Sequence, residues 1–333
     1  MPSAALISAC ALVNSLLRGV QNLLWSTRVG QQQIVAPVFI VGHWRSGTSL
    51  LHELLAIDPA HVAPTTYECF FPHHFLLTES WLPKLIAAML PAHRPMDNMR
   101  MAWDGPLEDE YGLCSLGEPS PYVRTFFPNG PAIDRATLDM ERVSRAVVER
   151  WQRTLLRFLR EMTVRTPGRV LLKSPPHSFR IPALLNLFPD ARFVHIVRDP
   201  FVVFPSTMNL WRRLYRLQGL QEPKFERLEE DVLDTYLHLF ERIDGGRALV
   251  AASHFFEVRY EDLIADPLGR LRAMYRHLDL GDFDRVAPRV EGYLKDARDY
   301  KTNRYQLRSE ERATIAERWK PVIERYGYAV GVN

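Results

Sequence analysis

Four short runs of apolar residues divide the chain and predict the strands of a sheet. They cover residues 38–41, 170–172, 193–197 and 255–258. Each run lies beside a stretch with helical periodicity, which is the arrangement expected of parallel strands joined by crossover helices. The pattern therefore predicts an α/β fold with a central parallel sheet.

Helical periodicity follows the first strand and recurs further along the chain. Leu50, Leu51, Leu54 and Leu55 share one helix face, and Pro59 marks the end of that helix. Residues 60–135 are rich in proline, histidine and aromatic residues and have weak periodicity, so we interpret them as a lid inserted into a single domain that spans 36–333. Longer helices are predicted at residues 136–164, 224–243, 262–278 and 308–326.

The first 30 residues have apolar positions near helical spacing, at Leu6, Cys10, Val13 and Leu17. No basic residue precedes them, as a secretory signal would require, and Arg18 interrupts the segment too early for a membrane span. We predict an amphipathic helix. It would pack on the body of the protein or on a second subunit of a homo-oligomer, or it would make a peripheral membrane contact.

Composition excludes several classes of protein. The chain has 333 residues, 47% of them hydrophobic and 24% charged, as in a folded protein with a large core. A net charge of +3 gives no nucleic-acid signature. Three cysteines without paired spacing argue against a disulfide framework and a structural zinc site. We expect a cytoplasmic protein, either free or associated with a membrane through the first helix, with no nucleic-acid partner.

The first strand runs into a loop that is almost a nucleotide-binding phosphate loop. Gly42 and Gly47 have the GxxxxG spacing, but Thr48 occupies the position of the usual lysine, and the cation of the loop is Arg45. Backbone amides that converge before a helix N-terminus favour an anion. The small residues that allow the loop to close around phosphate are Ser46, Gly47, Thr48 and Ser49.

A second candidate anion site follows the third predicted strand. Arg198 ends that strand, and Ser206 comes eight residues later. A guanidinium and a hydroxyl suit phosphate oxygens. A kinase would also need a lysine in the loop and an aspartate for magnesium, whereas the best candidate, Asp199, precedes Pro200 and is typical of a helix cap. Two anion sites at one sheet edge fit a nucleotide that is phosphorylated at both ends.

These two motifs resemble those of sulfotransferases that use 3′-phosphoadenosine 5′-phosphosulfate (PAPS). The loop from Arg45 to Ser49 matches the family's phosphosulfate loop, and Arg198 with Ser206 matches its 3′-phosphate element. The stretches LLKSPPH (171–177), VRYEDLIADP (258–267) and the C-terminal region are also similar. The resemblance implies a P-loop-like three-layer α/β/α fold and metal-independent sulfuryl transfer from PAPS, which leaves adenosine 3′,5′-bisphosphate.

The resemblance also implies roles for single residues. Lys173 matches a lysine that contacts the transferred group, Tyr260 a tyrosine near the adenine, and Arg304 a late contact to the 3′-phosphate. Many relatives carry a histidine base two residues after that lysine, but Pro175 stands there in this chain. Two other residues are therefore candidates for the base that activates the acceptor: Glu68, which comes 23 residues after Arg45, and His177.

Two features of the sequence leave alternatives open. The first concerns the consecutive acids Glu108, Asp109 and Glu110, which are expected to be solvated or to cap a helix. The alternative is that they orient an acceptor or form an ion pair with Arg45 or Lys173. Pro205 would kink a helix that begins at Pro200, or it would start a new helix with Ser206 near its N-terminus.

The sequence therefore predicts a sulfotransferase that acts on a hydroxyl of a lipid, glycolipid, saccharide or small alcohol. Residues 69–90 are apolar enough to line an acceptor pocket or simply to form the core of the lid. The competing hypotheses are a P-loop kinase with a shifted cation and a non-catalytic nucleotide-binding protein.

Overall fold

The chain folds around one five-stranded parallel sheet. The computed structural model describes residues 2–93, 99–131, 135–296 and 305–329, with side chains from residue 10 onwards. The strands are β1 (Val38–Val41), β2 (His61–Val62), β3 (Arg169–Lys173), β4 (Arg192–Val197) and β5 (Phe255–Arg259). Their order is β2-β3-β1-β4-β5, and every neighbouring pair is parallel. The four predicted strands are confirmed, and β2, with two residues, is too short to have a readable pattern.

Helices account for most of the rest of the described chain. In chain order the α-helices are α1 (Pro2–Gln31), α2 (Thr48–Ala56), α3 (Thr66–Phe70), α4 (Phe75–Thr78), α5 (Leu82–Leu85), α6 (Asp109–Ser115), α7 (Val123–Phe126), α8 (Arg135–Asp139), α9 (Arg145–Arg165), α10 (Ile181–Leu187), α11 (Pro200–Gln218), α12 (Leu228–Arg247), α13 (Tyr260–Ala265), α14 (Pro267–Leu278), α15 (Ala287–Asp296), α16 (Ser309–Arg318) and α17 (Lys320–Tyr326). Short 3₁₀-helices are η1 (Ala87–Met89), η2 (Pro175–Phe179), η3 (Ala252–His254) and η4 (Phe283–Arg285).

Three of the predicted long helices are broken in the structure. The predicted helix at 136–164 is α8 followed by α9, which begins after Ser144. The helix at 262–278 is interrupted at Asp266, whose carboxylate caps α14 by accepting from the Gly269 amide at 2.9 Å. The helix at 308–326 breaks at Trp319. The breaks at Asp266 and Trp319 come from prolines, because Pro267 and Pro321 lie in the first turn of the next helix. Hydrophobic periodicity does not detect such prolines or helix caps.

The sheet is buried on both faces, so the fold has three layers. Alternate residues of β1 point to opposite sides: Phe39 and Val41 belong to one hydrophobic core, and Val38 and Ile40 belong to the other. The first core includes residues of α9, α10, α11 and α12, and the second includes residues of α2, α13, α14 and α15. The structure is thus an α/β protein with helices on both faces of a parallel sheet, as predicted.

The first helix packs on the body along one side. The Gln21 side chain accepts a hydrogen bond from the Leu76 amide at 3.0 Å, and the Asn22 side-chain oxygen accepts from the Arg157 guanidinium. Its opposite side exposes large apolar residues, among them Leu16 and Leu23. The predicted helix is confirmed. Within the described residues, no helix combines the length and the apolar character that crossing a membrane would require.

The carboxyl ends of the parallel strands meet at one edge of the sheet. Gly42 follows β1, Lys173 ends β3, Arg198 follows β4 and Tyr260 follows β5. Since β1 lies between β3 and β4, the chain crosses from one side of β1 to the other there, and such a crossover opens a crevice for a ligand.

Candidate active site

The loop after β1 is a tight turn that depends on left-handed backbone conformations. Gly42, Arg45 and Gly47 have φ values of 150°, 71° and 100°. A Cβ on Gly42 would lie 2.6 Å from the Ile196 carbonyl oxygen, so only glycine fits against β4. The amide and hydroxyl of Ser46 both donate to the His43 carbonyl, at 3.1 and 2.8 Å. The loop therefore delivers the chain directly into α2, whose N-terminus favours an anion.

The two predicted anion sites are neighbours in the structure. The Nε of Arg45 donates to the Ser206 hydroxyl at 2.9 Å, and Nη1 of Arg198 donates to the Arg45 carbonyl at 3.3 Å. The Arg198 guanidinium carbon lies 4.0 Å from the centre of the Tyr260 ring. A Cβ on Gly47 would lie 2.4 Å from that ring. The residues predicted for the phosphosulfate loop, the 3′-phosphate element and the adenine site thus form one continuous group.

Ser206 lies within a helix that begins six residues earlier. Asp199 caps α11 by accepting from the Phe201 amide at 2.8 Å, as predicted, and α11 runs without a break from Pro200 to Gln218. The alternative in which a new helix starts at Pro205 is therefore wrong, because the cap and the core contacts of α11 keep Pro205 inside the helix.

The lysine at the end of β3 is buried and paired with an acid from the insertion. Nζ of Lys173 lies 2.5 Å from Oε1 of Glu108. The other oxygen of Glu108 accepts a hydrogen bond from the Tyr122 hydroxyl, which itself accepts from Nε1 of Trp44 at 3.1 Å. Trp44 belongs to the phosphate loop, so this chain of hydrogen bonds connects the loop to Glu108 and Lys173. The alternative in which the acidic run pairs with Lys173 is confirmed for Glu108.

The next acid, Asp109, is fully buried against the same segment. Its two oxygens lie 2.7 Å from the Ser174 hydroxyl and 2.7 Å from Nε2 of His177. Burial alone favours the neutral form of Asp109, but the charge and hydrogen bond of His177, with the Ser174 hydroxyl, hold its pKa below the usual value. His177 is also fully buried, with Phe39 at its ring edge.

The third acid, Glu110, forms a buried ion pair with Arg180. Two guanidinium nitrogens of Arg180 donate to the two carboxylate oxygens at 2.9 and 3.3 Å, and neither side chain is exposed. We call residues Glu108, Asp109 and Glu110, together with their partners between Lys173 and Arg180, the acidic clip. Consecutive acids reach one segment because Glu108 is the N-cap of α6 and the next two residues form its first turn.

Glu68 is engaged in a different structure. It forms a capping box with Thr65, in which its carboxylate accepts from the Thr65 amide at 2.8 Å and its amide donates to the Thr65 hydroxyl at 3.1 Å. Burial raises the pKa of Glu68 to about 7. Glu79 and Arg165, which form an ion pair with each other, act on its charge in opposite directions. Glu68 does not line the cavity described next.

A cavity of about 670 Å³ opens beside the loop. Polar residues of the site line one part of it, namely Arg45, Thr48, Ser49, Glu108 and Tyr122. Most of the remaining wall is apolar, with Phe70, Phe71, Trp103, Leu107, Trp211 and Leu214 among its residues. A mostly apolar cavity with a few convergent polar groups is typical of a small-molecule site.

Comparison with known proteins identifies the family. A sequence model described as the sulfotransferase family matches residues 37–285. The chain belongs to the sulfotransferase family. Its relatives include the omega-hydroxy-beta-dihydromenaquinone-9 sulfotransferases Stf3 of Mycobacterium bovis and Mycobacterium tuberculosis, each 50% identical over 326 residues, which are 98% of this chain and 84% of the relative. This sulfotransferase is therefore an enzyme that transfers a sulfuryl group.

Solved structures agree on the fold of this sulfotransferase. Sulfotransferase STF9 from Mycobacterium avium superposes with a TM-score of 0.67 at 23% identity, covering 90% of this chain and 79% of that one. Sulfotransferase STF1 from Mycobacterium tuberculosis gives a TM-score of 0.62 at 24% identity, covering 93% and 83%.

One predicted residue, Arg304, lies outside the described residues. Nothing in the sequence singled out Tyr122 and Arg180, which hold Glu108 and Glu110 in the structure. Only the acidic run pointed to Glu108. Among the described residues, no group of three or more histidine, cysteine or acidic side chains is arranged to hold a metal ion.

Proposed function

We propose that this sulfotransferase moves a sulfuryl group from PAPS to the hydroxyl of a long-chain lipid alcohol. The observation that carries the proposal is the meeting of two cationic sites, at Arg45 and Arg198, beside an apolar cavity. One of the residues that line this cavity is Glu108, the partner of the buried Lys173. Arginines and loop amides supply the charge that a donor phosphorylated at both ends requires.

The donor would be held at both ends of its nucleoside. The loop residues Ser46, Gly47, Thr48 and Ser49 would bind the 5′-phosphosulfate through amides and hydroxyls, with Arg45 as the cation. Arg198 and Ser206 would bind the 3′-phosphate, joined by Arg304, and Tyr260 would contact the adenine. The cation–π contact between Arg198 and Tyr260 supports this assignment because it orients the guanidinium beside Gly47.

The geometry favours Glu108 as the base over Glu68 and His177. Glu108 lines the cavity, whereas Glu68 caps a helix and His177 is buried against Asp109. In the proposed reaction, Glu108 accepts the proton of the acceptor hydroxyl while that oxygen forms a bond to sulfur. The bond between sulfur and the 5′-phosphate oxygen breaks, and Lys173 and Arg45 stabilise the negative charge that develops on the departing group.

The cavity and the relatives support a lipid acceptor. Relatives at 50% identity are named for a hydroxylated menaquinone, and the apolar walls suit a hydrocarbon chain better than a saccharide. We propose a hydroxyl at the end of a polyprenyl chain, or of a similarly long apolar chain, with the insertion at residues 60–135 as the acceptor-side lid. The exposed face of α1 supplies a surface for a peripheral membrane contact or a homo-oligomer, and both remain predictions, as does a cytoplasmic location.

Calorimetry with adenosine 3′,5′-bisphosphate tests the donor assignment. We expect it to bind at least tenfold more tightly than AMP, and we expect Arg198→Ala to remove most of that difference, since a charge-assisted contact contributes about 1.5–3 kcal/mol. Arg145→Ala is the matched control because Arg145 is an exposed arginine that pairs with Glu149 in the next helical turn. Equal affinity for the two nucleotides would contradict the proposal.

Transfer of radiolabelled sulfate from PAPS tests the reaction itself. A hydroxylated polyprenyl quinone in detergent is the probe, and we expect a sulfate ester with or without a chelator of divalent cations. Loss of nucleotide binding with the chelator would favour the kinase hypothesis. Binding without transfer to any lipid alcohol would favour a non-catalytic protein.

A further inference from the structure

Exposed apolar side chains surround the opening of the cavity. Met89, Leu217, Phe70 and Phe126 all line the cavity, yet their exposed fractions are 76%, 62%, 43% and 41%. A residue that both lines a cavity and faces solvent lies at its mouth. Large apolar side chains that are this exposed are unusual as a group, because isolated ones are normal and clustered ones mark an interaction surface.

The apolar surface extends outwards from the mouth. Leu85 precedes η1 by two residues and is 75% exposed, and Leu220 follows Leu217 by three and is 68% exposed. The Leu220 amide donates to the Phe126 carbonyl at 2.8 Å, which ties the end of α11 to α7. We call Phe70, Leu85, Met89, Phe126, Leu217 and Leu220 the apolar collar.

The segments that carry most of the collar bear charge of one sign. Residues 81–90, 123–127 and 210–221 contain no aspartate or glutamate. The exposed cations within them are Lys84, Arg212, Arg213 and Arg216. Two copies of such a surface would repel each other in a twofold-symmetric contact, whereas an anionic lipid surface would attract it. Charge therefore favours a membrane over a second copy of the chain.

The size of the cavity points to the same partner. An acceptor whose apolar chain is too long for a cavity of about 670 Å³ would leave part of that chain outside the protein. Exposing that part to water would be unfavourable in proportion to the number of CH₂ groups left outside. An apolar mouth pressed against the bilayer would allow the hydroxylated end to enter while the rest stays in lipid.

We propose that the apolar collar docks on an anionic lipid bilayer, so that a lipid acceptor enters the cavity directly from the membrane. This inference rests on the proposed function, because it assumes an acceptor that resides in a bilayer. It is distinct from the predicted contact through α1, since the collar lies on the insertion and the end of α11.

Vesicle sedimentation with the full chain tests the proposal. Vesicles of equal parts phosphatidylglycerol and phosphatidylcholine should bind the protein, and pure phosphatidylcholine or added salt should weaken binding. Leu85→Ser/Leu220→Ser should reduce binding about tenfold or more, because each serine removes a large apolar side chain from the lipid contact. The matched control is Leu249→Ser/Ile264→Ser, whose side chains are 62% and 49% exposed but lie outside the collar; it should bind like the wild type.

Three outcomes would overturn the inference. The first is that the collar variant binds vesicles as tightly as the wild type does. Loss of binding only in Leu12→Ser/Leu16→Ser, which alters α1, is another. The third combines two results: the wild type is a dimer in sedimentation velocity whereas the collar variant is a monomer, and neither protein binds vesicles. This result would make the collar a subunit interface.

The inference and the proposed function fail separately. Leu85 and Leu220 do not line the cavity, so the collar variant should bind adenosine 3′,5′-bisphosphate and sulfate an acceptor in detergent as the wild type does. If both proteins bind the nucleotide and sulfate the acceptor, but the wild type does not bind vesicles, only the collar inference is wrong. If the nucleotide does not bind to the wild type, the proposed function is wrong whatever the vesicles show.

Discussion

Nζ of Lys173 lies 2.5 Å from Oε1 of Glu108, although 65 positions separate the two residues in the chain. The lysine comes from the sheet and the glutamate from the insertion, so the contact joins the proposed donor side of the site to the proposed acceptor side. Glu108 keeps access to the cavity while its charge is matched by a buried cation. A paired carboxylate of this kind can receive a proton from an acceptor hydroxyl without leaving its place.

The first prediction separates the two glutamates that compete for the role of base. Glu108→Gln should lower kcat by roughly 10²–10⁴, which is the usual contribution of a general base, and should leave binding of adenosine 3′,5′-bisphosphate within about threefold of wild type. Glu68→Gln is the control, because glutamine preserves the capping box and should change kcat by less than about threefold. Steady-state kinetics with calorimetry decides, and the reverse pattern would make Glu68 the base.

The second prediction concerns the dependence of stability on pH. Burial raises the pKa of Glu68 from its ordinary 4.5 to about 7, so the folded state holds this proton more tightly than the unfolded state. Its contribution to the free energy of unfolding is therefore complete below about pH 4.5 and is lost as the pH rises to about 7, by at most about 3 kcal/mol.

Urea unfolding at several pH values checks this slope. Between about pH 4.5 and pH 7, Glu68→Gln should lose less of its free energy of unfolding than the wild type, by up to about 3 kcal/mol, because glutamine does not titrate. Glu149→Gln, at an exposed site, should follow the wild type. Parallel curves for the wild type and Glu68→Gln would show that Glu68 is not buried as described.

The third prediction compares a buried ion pair with an exposed one. Glu110→Gln leaves the Arg180 guanidinium buried without its counter-charge and should lower the free energy of unfolding by about 3–5 kcal/mol. Glu149→Gln removes the partner of Arg145 on the surface and should cost no more than about 0.5 kcal/mol. Chemical unfolding of both variants gives the comparison, and similar small losses would mean that Arg180 finds water or another acceptor.

The fourth prediction concerns the phosphate loop. Gly47→Ala should weaken binding of adenosine 3′,5′-bisphosphate at least about tenfold, because alanine is strained at φ 100° and its Cβ would displace the Tyr260 ring. Gly245→Ala is the control, since a Cβ there meets nothing within 4 Å inside α12 and should stabilise the helix by about 0.5–1 kcal/mol. Unchanged nucleotide affinity in Gly47→Ala would place the nucleotide away from the loop.

The sheet and the glycine turn after β1 could be predicted because their signals are local. The apolar run of β1, the glycine spacing and the cap at Asp199 each depend on residues within a few positions of one another. The residue that we propose as the base could not be predicted in this way. Spacing from Arg45 pointed to Glu68, whereas the structure gives Glu68 to a helix cap and brings Glu108 to Lys173 through the packing of α6.

The burial of the acidic run also could not be predicted from local sequence. Consecutive acids are expected on a surface because burial of a charge is costly. Here Asp109 and Glu110 are buried because a distant segment supplies their partners, a hydrogen bond from His177 and the charge of Arg180. Nothing in the run itself identifies those partners, since a pairing over about 70 positions is decided by the tertiary fold.

The acidic clip has a consequence for engineering acceptor preference among relatives. Because three successive side chains of the insertion pair with residues 173–180, we expect that residues 60–135 cannot be exchanged alone while the native strand end is retained. Such a graft would set foreign side chains against the host's Lys173, His177 and Arg180. Chimeras built with both segments from one parent would inherit a matched set of charges, so the unit of recombination in this enzyme consists of two separate pieces of sequence.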